Sequence, residues 1–310
     1  MTLQEAPDPV RPVPAPVAPR RRTRLVLFSV LAGAALAVLW SFELVDSVIG
    51  ANVANTLLGR DAKATAIGGT TAGLLFAFVS GFAGTFTACN IAMAASLGPM
   101  TQANQGAAGR GLRRAVLRPV GLMTLGMLAV SATYGFVGVL LGDRLPQVSD
   151  HTVGDMPVRI IQSSVVFGVI GLAMAYLGLA ALGVLPDMFA RRPASRVVFV
   201  GALVGGFLIG RPYPLFNKLF HWAIDSGNPL YGALSFALQS LGNIVVVTLL
   251  FAVLAFATRG RFLEWMRSGN RAAVVTGALF LALGVFTVVY WDLRVPANFG
   301  IGWFPSMPYD

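Results

Sequence analysis

Long apolar stretches with few or no charges alternate with short charged segments along most of this chain. About twenty apolar residues are needed for a helix to cross a hydrocarbon layer about 30 Å thick. A first such stretch covers 25–45, and a second, which carries no charge, covers 64–109. Five more follow at 119–142, 160–185, 197–220, 229–257 and 272–291. We therefore predict an all-α polytopic membrane helix bundle of about seven transmembrane helices.

The two ends of the chain differ from the apolar region between them. Residues 1–24 are rich in proline and arginine and poor in large apolar side chains, which is typical of disordered segments. We predict a disordered cytoplasmic tail over 1–24, a transmembrane domain over 25–291 and a short external tail over 292–310. Within the transmembrane domain, 25–45 forms an extra first helix. Only 12% of the residues are charged and the mean hydropathy is +0.72, as expected for a chain surrounded by lipid.

The basic residues determine the predicted orientation. The net charge is +10, but arginines fall in short clusters between apolar stretches instead of covering one soluble face, so nucleic acid is not an expected partner. The clusters comprise Arg110, Arg113, Arg114 and Arg118, then Arg191, Arg192 and Arg196, then Arg259, Arg261, Arg267 and Arg271. All three alternate onto the side of the N-terminal arginines. We predict a multi-pass protein of a bacterial-type plasma (inner) membrane, with its N-terminus cytoplasmic and its C-terminus external.

Two of the predicted spans are interrupted. Glycines and Pro99 divide the uncharged stretch 64–109, and the sequence GRPYP divides 197–220. Each interrupted helix begins a group of three spans, which gives repeat one over 66–185 and repeat two over 197–291. Because three is odd, the two groups run in opposite senses, the inverted-topology arrangement of many membrane carriers. The alternative is that the spaced glycines only let helices pack closely.

Arg211 is the most unusual charge in the chain. The uncharged residues 197–210 before it span only about 21 Å as a helix, so either Arg211 lies inside the membrane or the helix stops early. A third possibility is that its side chain extends to the outer interface. Pro212 and Pro214 lack the backbone N–H that a helix requires, so carbonyls freed near Tyr213 predict a buried or water-filled pocket.

Two segments resemble the DsbD/CcdA membrane electron carriers, which include cytochrome c biogenesis transmembrane proteins. The segment TFTACNIAMAASLGP is similar to the first, cysteine-bearing helix of that family, and Cys89 falls where the first cysteine of the family lies. GGFLIGRPYPLFNKLF with NPLYGALSFALQSLGNIVVVTLLF resembles its second repeat. The resemblance covers roughly residues 66–290. Ala88 replaces the usual proline, and Tyr213 or its neighbours stand where the second cysteine is expected.

The resemblance implies a function in transmembrane thiol redox. In that family, two cysteines form a reversible disulfide that passes reducing equivalents from cytoplasmic thioredoxin to thiol proteins outside. Cys89 is the only cysteine here, so an intramolecular dithiol cycle is impossible and the predicted centre is an altered one with a single thiol. Whether the chain is an enzyme stays open: at most it is a thiol–disulfide oxidoreductase-like electron carrier. The implied partners are a thioredoxin-like protein or a cytochrome c maturation component, besides the lipid bilayer.

The candidate site residues lie near the two interruptions. Cys89 is the candidate redox thiol, and an inert packed thiol is the alternative. The candidate substrate-binding or pore-lining residues are Asn90, Arg211, Pro212, Tyr213, Pro214, Asn217, Gln239 and Asn243. The amides among them fit hydrogen bonding between helices equally well. His151 and His221 are the only histidines and no cysteine cluster accompanies them, so we predict neither a metal site nor a cofactor.

Three functions are consistent with the sequence. The first is a thiol redox carrier related to the DsbD/CcdA proteins. The second is an inverted-repeat transporter of a small solute or ion, which uses Arg211 and the amides instead of thiols. The third is an assembly subunit that positions other membrane proteins. Loss of activity in a Cys89→Ser variant indicates the first function, and loss in an Arg211→Ala variant indicates the second.

Overall fold

The protein is mostly helical in the computed structural model, which describes residues 19–41, 43–85, 112–149, 151–257 and 271–305. Five of the described helices are long and apolar enough to cross a membrane: Arg21–Leu39, Arg118–Arg144, Val158–Ala181, Pro229–Leu249 and Arg271–Ala297. Two shorter apolar helices accompany them, Gly69–Ala83 and Pro193–Phe207. The predicted fold class is confirmed as an all-α bundle that contains helices long and apolar enough to span a membrane.

The described elements occur in the following order. The first part contains α1 (Pro19–Leu39), a π-helical turn (Glu43–Gly50), α2 (Ala51–Leu58), α3 (Gly69–Ala83) and α4 (Leu112–Leu141). A 3₁₀ turn (Gly142–Arg144) and a hairpin of β1 (Thr152–Val153) with β2 (Met156–Pro157) lead to α5 (Val158–Ala181). The last part contains α6 (Pro193–Gly210), α7 (Pro214–Asp225), α8 (Pro229–Ala257), α9 (Arg271–Val288), a second π-helical turn (Val289–Arg294) and α10 (Val295–Ala297).

The helices at the two ends of the predicted transmembrane domain have bounds that differ from the prediction. The first helix begins at Pro19 and ends at Leu39, whereas 25–45 was predicted, so it includes residues 19–24 of the predicted tail. Proline is favourable in the first helical turn and arginine is a good helix former, which explains the early start. At the other end, helical structure continues to Ala297, past the predicted boundary at 291.

Arg294 joins the C-terminal end of α1 to the π-helical turn that follows α9. Its Nη1 donates hydrogen bonds to the carbonyl oxygens of Ala37, at 2.7 Å, Val38, at 3.2 Å, and Trp40, at 2.7 Å. The last carbonyls of a helix lack partners within the helix, so the guanidinium completes the end of α1. The external tail was predicted to begin at 292, but the Arg294 side chain is buried and holds the end of α1 against the turn after α9.

The helices pack in a defined order. α1 packs on α9, α9 on α5, α6 on α4, α4 on α8 and α8 on α3, while α7 contacts α3, α4 and α8. Lipid chains are as apolar as leucine, so close approach of helices depends largely on small residues. A Cβ atom placed on Gly135 of α4 would lie 2.3 Å from the carbonyl oxygen of Gly232 in α8. Glycine at these positions therefore lets the backbones touch.

The contacts also give the relative direction of the helices. In α5 and α9, Gly171 meets Gly284 and Gly178 meets Gly277, so residue numbers rise in one helix as they fall in the other. These two helices are antiparallel. α4 and α8 are also antiparallel, because Gly135 meets Gly232 while Ser131 accepts a hydrogen bond from Ser240, further along α8.

Candidate functional site

The chain leaves helical geometry between α6 and α7. Arg211 has φ −82° and ψ 123°, and Tyr213 has φ −82° and ψ 130°. Each of these residues precedes a proline, and the proline ring disfavours helical geometry at the preceding residue. The sequence GRPYP therefore produces two extended residues and a break, as its prolines indicated. α6 ends at Gly210, so the helix stops early at this point.

Arg211 joins this break to the end of α3. Its side chain is only 6% exposed, and its Nη1 donates a hydrogen bond of 3.1 Å to the carbonyl oxygen of Gly84. Gly84 immediately follows α3, in the glycine-rich stretch that was predicted to interrupt the second span. The guanidinium also lies over the ring of Tyr213, 5.2 Å from its centroid. The buried arginine thus points inward to the end of α3 instead of extending to a surface.

Tyr213 fills the break. It is fully buried, and its ring meets Phe216 edge-on at 4.9 Å between centroids. Its hydroxyl has no hydrogen-bond partner among the described residues. The neighbour of this hydroxyl is Gly50, where the first π-helical turn joins α2, and a Cβ placed on Gly50 would lie 2.5 Å from the oxygen. The connection between α1 and α3 therefore lies directly against the break.

Two buried amides lie one turn apart on α8. Gln239 is 1% exposed and Asn243 is 0% exposed. The Nε2 of Gln239 and both polar atoms of the Asn243 side chain have no hydrogen-bond partner among the described residues. A buried polar group without a partner costs about 1–3 kcal/mol, so three such atoms together are unusual. A stretch of this kind is expected where a polar molecule or water binds.

The amide pair lies next to α3 and α4. A Cβ placed on Gly81 of α3 would lie 1.8 Å from the carbonyl oxygen of Gln239, so α3 and α8 are in backbone contact there. Ser240, between the two amides, donates a hydrogen bond of 2.6 Å to Ser131 of α4. Gly81 is less than one turn before Gly84, the residue that accepts from Arg211. The end of α3 is thus common to the break and to the amide pair.

Asn217 lies elsewhere, although it was predicted with the same site. Its Oδ1 accepts a hydrogen bond of 3.3 Å from Gln147, in the connection that follows α4. His151 and His221 are exposed, and no cluster of metal-ligating side chains occurs within the part of the chain that the structure describes. Cys89 and Asn90 lie outside the described residues.

The sequence did not reveal the contacts of three residues that build this region. Gly84 and Gly50 carry no chemical signal, because their role is to bring a backbone close to Arg211 and Tyr213. Lys218 is the third: its Nζ donates to the carbonyl oxygens of Ala62, at 2.9 Å, Lys63, at 3.0 Å, and Thr65. It thereby holds the α2–α3 connection against α7, and only a long-range contact reveals this.

The same connection contains a local turn formed by Asp61. Its carboxylate accepts hydrogen bonds from the backbone N–H groups of Lys63, at 2.8 Å, and Ala64, at 2.9 Å. These bonds, that from Ala64 first, lower the pKa of Asp61 below its usual 3.8, because they stabilise the charged form. Asp61 therefore shapes the loop that Lys218 binds.

No family model, curated protein or solved structure matches this chain. The resemblance to the DsbD/CcdA carriers therefore stays a prediction. The function is inferred from the contacts of the break and of the amide pair.

Proposed function

We propose that this protein is a membrane carrier of seven transmembrane helices. In this proposal α1 precedes two inverted units, one of α3, α4 and α5 and the other of α6 with α7, α8 and α9. α6 and α7 together make one broken span, and α3 begins the corresponding span of the first unit. The cargo site lies where the two interrupted helices meet, as is common in carriers of this architecture.

The packing order supports two equivalent units. Suppose that the two units are exchanged, so that α3 takes the place of α6, α4 that of α8 and α5 that of α9. The α3–α8 contact then becomes the α4–α6 contact. Both contacts occur. The same exchange leaves the α4–α8 and α5–α9 contacts unchanged. Because α4 is antiparallel to α8 and α5 is antiparallel to α9, the exchange relates units of opposite direction. These are the relations expected of an inverted repeat.

Glycines at the two exchanged contacts support the same relation. In both contacts, each helix contributes one glycine. A Cβ placed on the glycine of one helix would strike a carbonyl oxygen of the facing helix. That oxygen belongs to the residue three positions before the glycine of the facing helix. The pairs are Gly81 with Gln239, Gly242 with Phe78, Gly126 with Val198 and Gly201 with Met123, at 1.8 to 2.1 Å. The sequences at two of these positions also correspond, since MTLGM at 123–127 of α4 matches QSLGN at 239–243 of α8.

The hydrogen bond from Arg211 to Gly84 is the observation that carries the proposal. It joins the break of the second unit to the end of the short helix of the first unit. Cys89 follows Gly84 by five residues in the sequence, so reducing equivalents are the first candidate cargo. Orientation with the N-terminus in the cytoplasm, from the arginine clusters, makes a thioredoxin-like protein the electron donor.

A single thiol supports transfer only through mixed disulfides. The Cys89 thiolate attacks an external disulfide, forms a mixed disulfide and releases one external thiolate. A thiolate of the reduced thioredoxin-like protein then attacks the Cys89 sulfur and releases the second external thiolate. Its other thiol resolves this second mixed disulfide and regenerates the Cys89 thiolate. One external disulfide is reduced and one cytoplasmic dithiol is oxidised.

The second candidate cargo is a small polar solute, which the amide pair favours. Gln239 and Asn243 offer amide donors and one acceptor that the described residues leave unsatisfied. Amide donors near a buried arginine suit a carboxylate or another oxyanion. In this case Cys89 is dispensable and the amides are required.

One experiment on membrane vesicles separates the two cargoes. The wild type, Cys89→Ser and Gln239→Met/Asn243→Met variants are treated with a mild oxidant, and mixed disulfides are identified by mass spectrometry. A redox carrier gives an adduct with a thioredoxin-like protein in the wild type and in the amide variant but not in Cys89→Ser. If Cys89 forms no adduct, the redox cargo is wrong. Uptake of radiolabelled small carboxylates, lost in the amide variant and kept in Cys89→Ser, then indicates the solute.

A further inference from the structure

The loop between α5 and α6, residues 182–192, folds back beside the end of α5. Gly183 has φ 72°, a left-handed conformation that turns the chain where α5 ends. The residue after it donates its backbone N–H to a carbonyl oxygen of α5 at 2.9 Å. Further along the loop, the carbonyl oxygen of Pro186 accepts a hydrogen bond of 2.6 Å from the Tyr176 hydroxyl. The α5–α6 loop therefore runs along the last turns of α5 instead of away from them.

The same loop is also fixed to the start of α6. The ring of Phe189 lies 5.3 Å from the ring of Phe199, which is in the second turn of α6. Asp187 shapes the turn before this contact, because its Oδ1 accepts a hydrogen bond of 2.9 Å from the backbone N–H of Phe189. Its Oδ2 forms an ion pair of 3.3 Å with Arg196, in the first turn of α6. Contacts with both helices thus hold the loop in one position.

The length of α5 sets the depth of this loop. α5 has 24 residues and is therefore about 36 Å long, whereas the hydrocarbon layer is about 30 Å thick. When α5 spans the layer, at most about 6 Å of it extends beyond the hydrocarbon at this end. Tyr176 lies five residues before Ala181, the last residue of α5, which is about 7–8 Å of helix. The bond from Tyr176 therefore holds the Pro186 carbonyl near the hydrocarbon boundary.

Apolar side chains of the loop are exposed at this depth. Met188 is 72% exposed, Val184 is 46% exposed and Leu185 is 37% exposed. The loop ends in Arg191 and Arg192, which are also exposed. Exposed apolar side chains next to basic ones are typical of segments at the boundary between headgroups and acyl chains. The chemistry of the loop therefore matches the depth at which its contacts hold it.

We propose that the α5–α6 loop inserts into the membrane surface at this end of the bundle. Met188, Val184 and Leu185 contact the acyl chains, and Arg191 and Arg192 bind phosphate oxygens of the lipid headgroups. A planar guanidinium donates two parallel hydrogen bonds to a phosphate, which suits this position. Lipid covers the apolar side chains because the contacts with α5 and α6 keep the loop at the level of the membrane surface.

The test places a solvent-sensitive fluorescent label on the loop of the full-length protein in lipid vesicles. Met188→Cys and Thr152→Cys are introduced separately into a Cys89→Ser chain; Thr152 is exposed in the β1–β2 hairpin and is the matched control. Quenching is measured with a phospholipid that carries a nitroxide at the top of its acyl chain, and with iodide in the water. R191Q/R192Q is combined with Met188→Cys in vesicles of phosphatidylglycerol or phosphatidylcholine. Size-exclusion profiles show that each variant is folded.

The nitroxide lipid is expected to quench the label at position 188 about threefold more than the label at position 152, and iodide should quench it less. R191Q/R192Q should weaken the nitroxide quenching in phosphatidylglycerol vesicles more than in phosphatidylcholine vesicles. Equal nitroxide quenching at the two positions would overturn the proposal, and so would equal quenching by iodide. Unchanged quenching in R191Q/R192Q with phosphatidylglycerol would overturn the assignment of the two arginines to the headgroups.

Discussion

α4 and α8 make corresponding glycine contacts, α4 with α6 and α8 with α3, but the side chains around the two glycines differ chemically. At the contact of α4 with α6, Met123 and Met127 flank Gly126, and both methionines are fully buried. At the contact of α8 with α3, Gln239 and Asn243 stand at the corresponding places around Gly242, and they are equally buried. The glycine and its packing are kept, while two apolar side chains become two amides. The fold therefore requires the glycine contact but not the amides, and the contact of α8 with α3 is the polar one of the two.

The largest expected effect concerns the shared part of this comparison. Gly81→Val and Gly201→Val each add a side chain at a tightly packed glycine. Even a single Cβ atom there would lie 2.0 Å or less from a backbone carbonyl oxygen of the facing helix. Overpacking costs about 1–3 kcal/mol, and here the rigid neighbour is backbone, so about 3 kcal/mol is expected for both. Thermal unfolding in detergent should give similar large losses in the two variants.

Gly121→Ala is the matched control for these variants. It also lies in a helix, but nothing lies within 4 Å of its Cβ position. Its melting temperature should stay at or slightly above that of the wild type, because alanine is the better helix former. A large loss in Gly81→Val with none in Gly201→Val would show that the two contacts are not equivalent.

The next effect concerns the contact between Arg211 and the end of α3. Arg211→Ala removes the donor to Gly84 and leaves a buried carbonyl without that partner, which costs about 1–3 kcal/mol. Arg211→Lys keeps a cation and should lose less, although a lysine lacks the planar fork. Thermal unfolding measures both losses. Equal stability of Arg211→Ala and the wild type would contradict a structural role for this hydrogen bond.

Making α8 resemble α4 should have the opposite sign. In Gln239→Met/Asn243→Met, apolar side chains replace amide atoms that lack partners among the described residues, so a gain of about 1–2 kcal/mol is expected. Met123→Gln/Met127→Asn, the reverse change in α4, should destabilise by a similar amount. Destabilisation by the methionine pair would show that the amides are structural hydrogen-bonding groups.

A smaller effect is expected where Gly50 meets Tyr213. Gly50→Ala directs its methyl group at the Tyr213 hydroxyl and should destabilise by about 1 kcal/mol. Tyr213→Phe removes a hydroxyl without a partner among the described residues, so it should be nearly neutral. The double variant should recover most of the loss, which a double-mutant cycle measures as a coupling energy. Additive effects would mean that the two residues are not in contact.

The smallest effect depends on pH. The pKa of Asp61 is lowered in the folded protein, so its carboxylate stabilises the fold above the unfolded pKa of about 3.8. This contribution is lost as the pH falls below that value. The difference in melting temperature between the wild type and Asp61→Asn should therefore be constant near neutral pH and shrink below about pH 3.8. A difference that stays constant down to pH 2 would contradict the role of these backbone bonds.

The membrane helices and the break could be predicted because local chemistry determines them. Long apolar stretches require helices in lipid, and GRPYP places two residues before prolines, so the end of α6 follows from sequence alone. The end of α1 could not be predicted, because it depends on Arg294, more than two hundred residues away. The partners of Arg211 and Lys218 are likewise backbone carbonyls, which no residue type announces.

The positions of the candidate residues in the fold could be predicted only in part, for the same reason. Gln239 and Asn243 stand out in an apolar helix and are buried together, whereas Asn217, an equally visible amide, binds Gln147 in a connecting segment. A polar residue in an apolar stretch shows that a partner is needed but not which one. Only the contacts of α3 and α8 relate the amide pair to the break.

The inverted relation of the two units is the central claim, and cysteine labelling tests it most directly. Ala66→Cys before α3 and Ala194→Cys in the first turn of α6 are introduced separately into a Cys89→Ser chain; both positions are exposed. In sealed vesicles of known orientation, an impermeant maleimide should label position 66 only from outside and position 194 only from inside. Labelling of both positions from the same side would contradict inverted units.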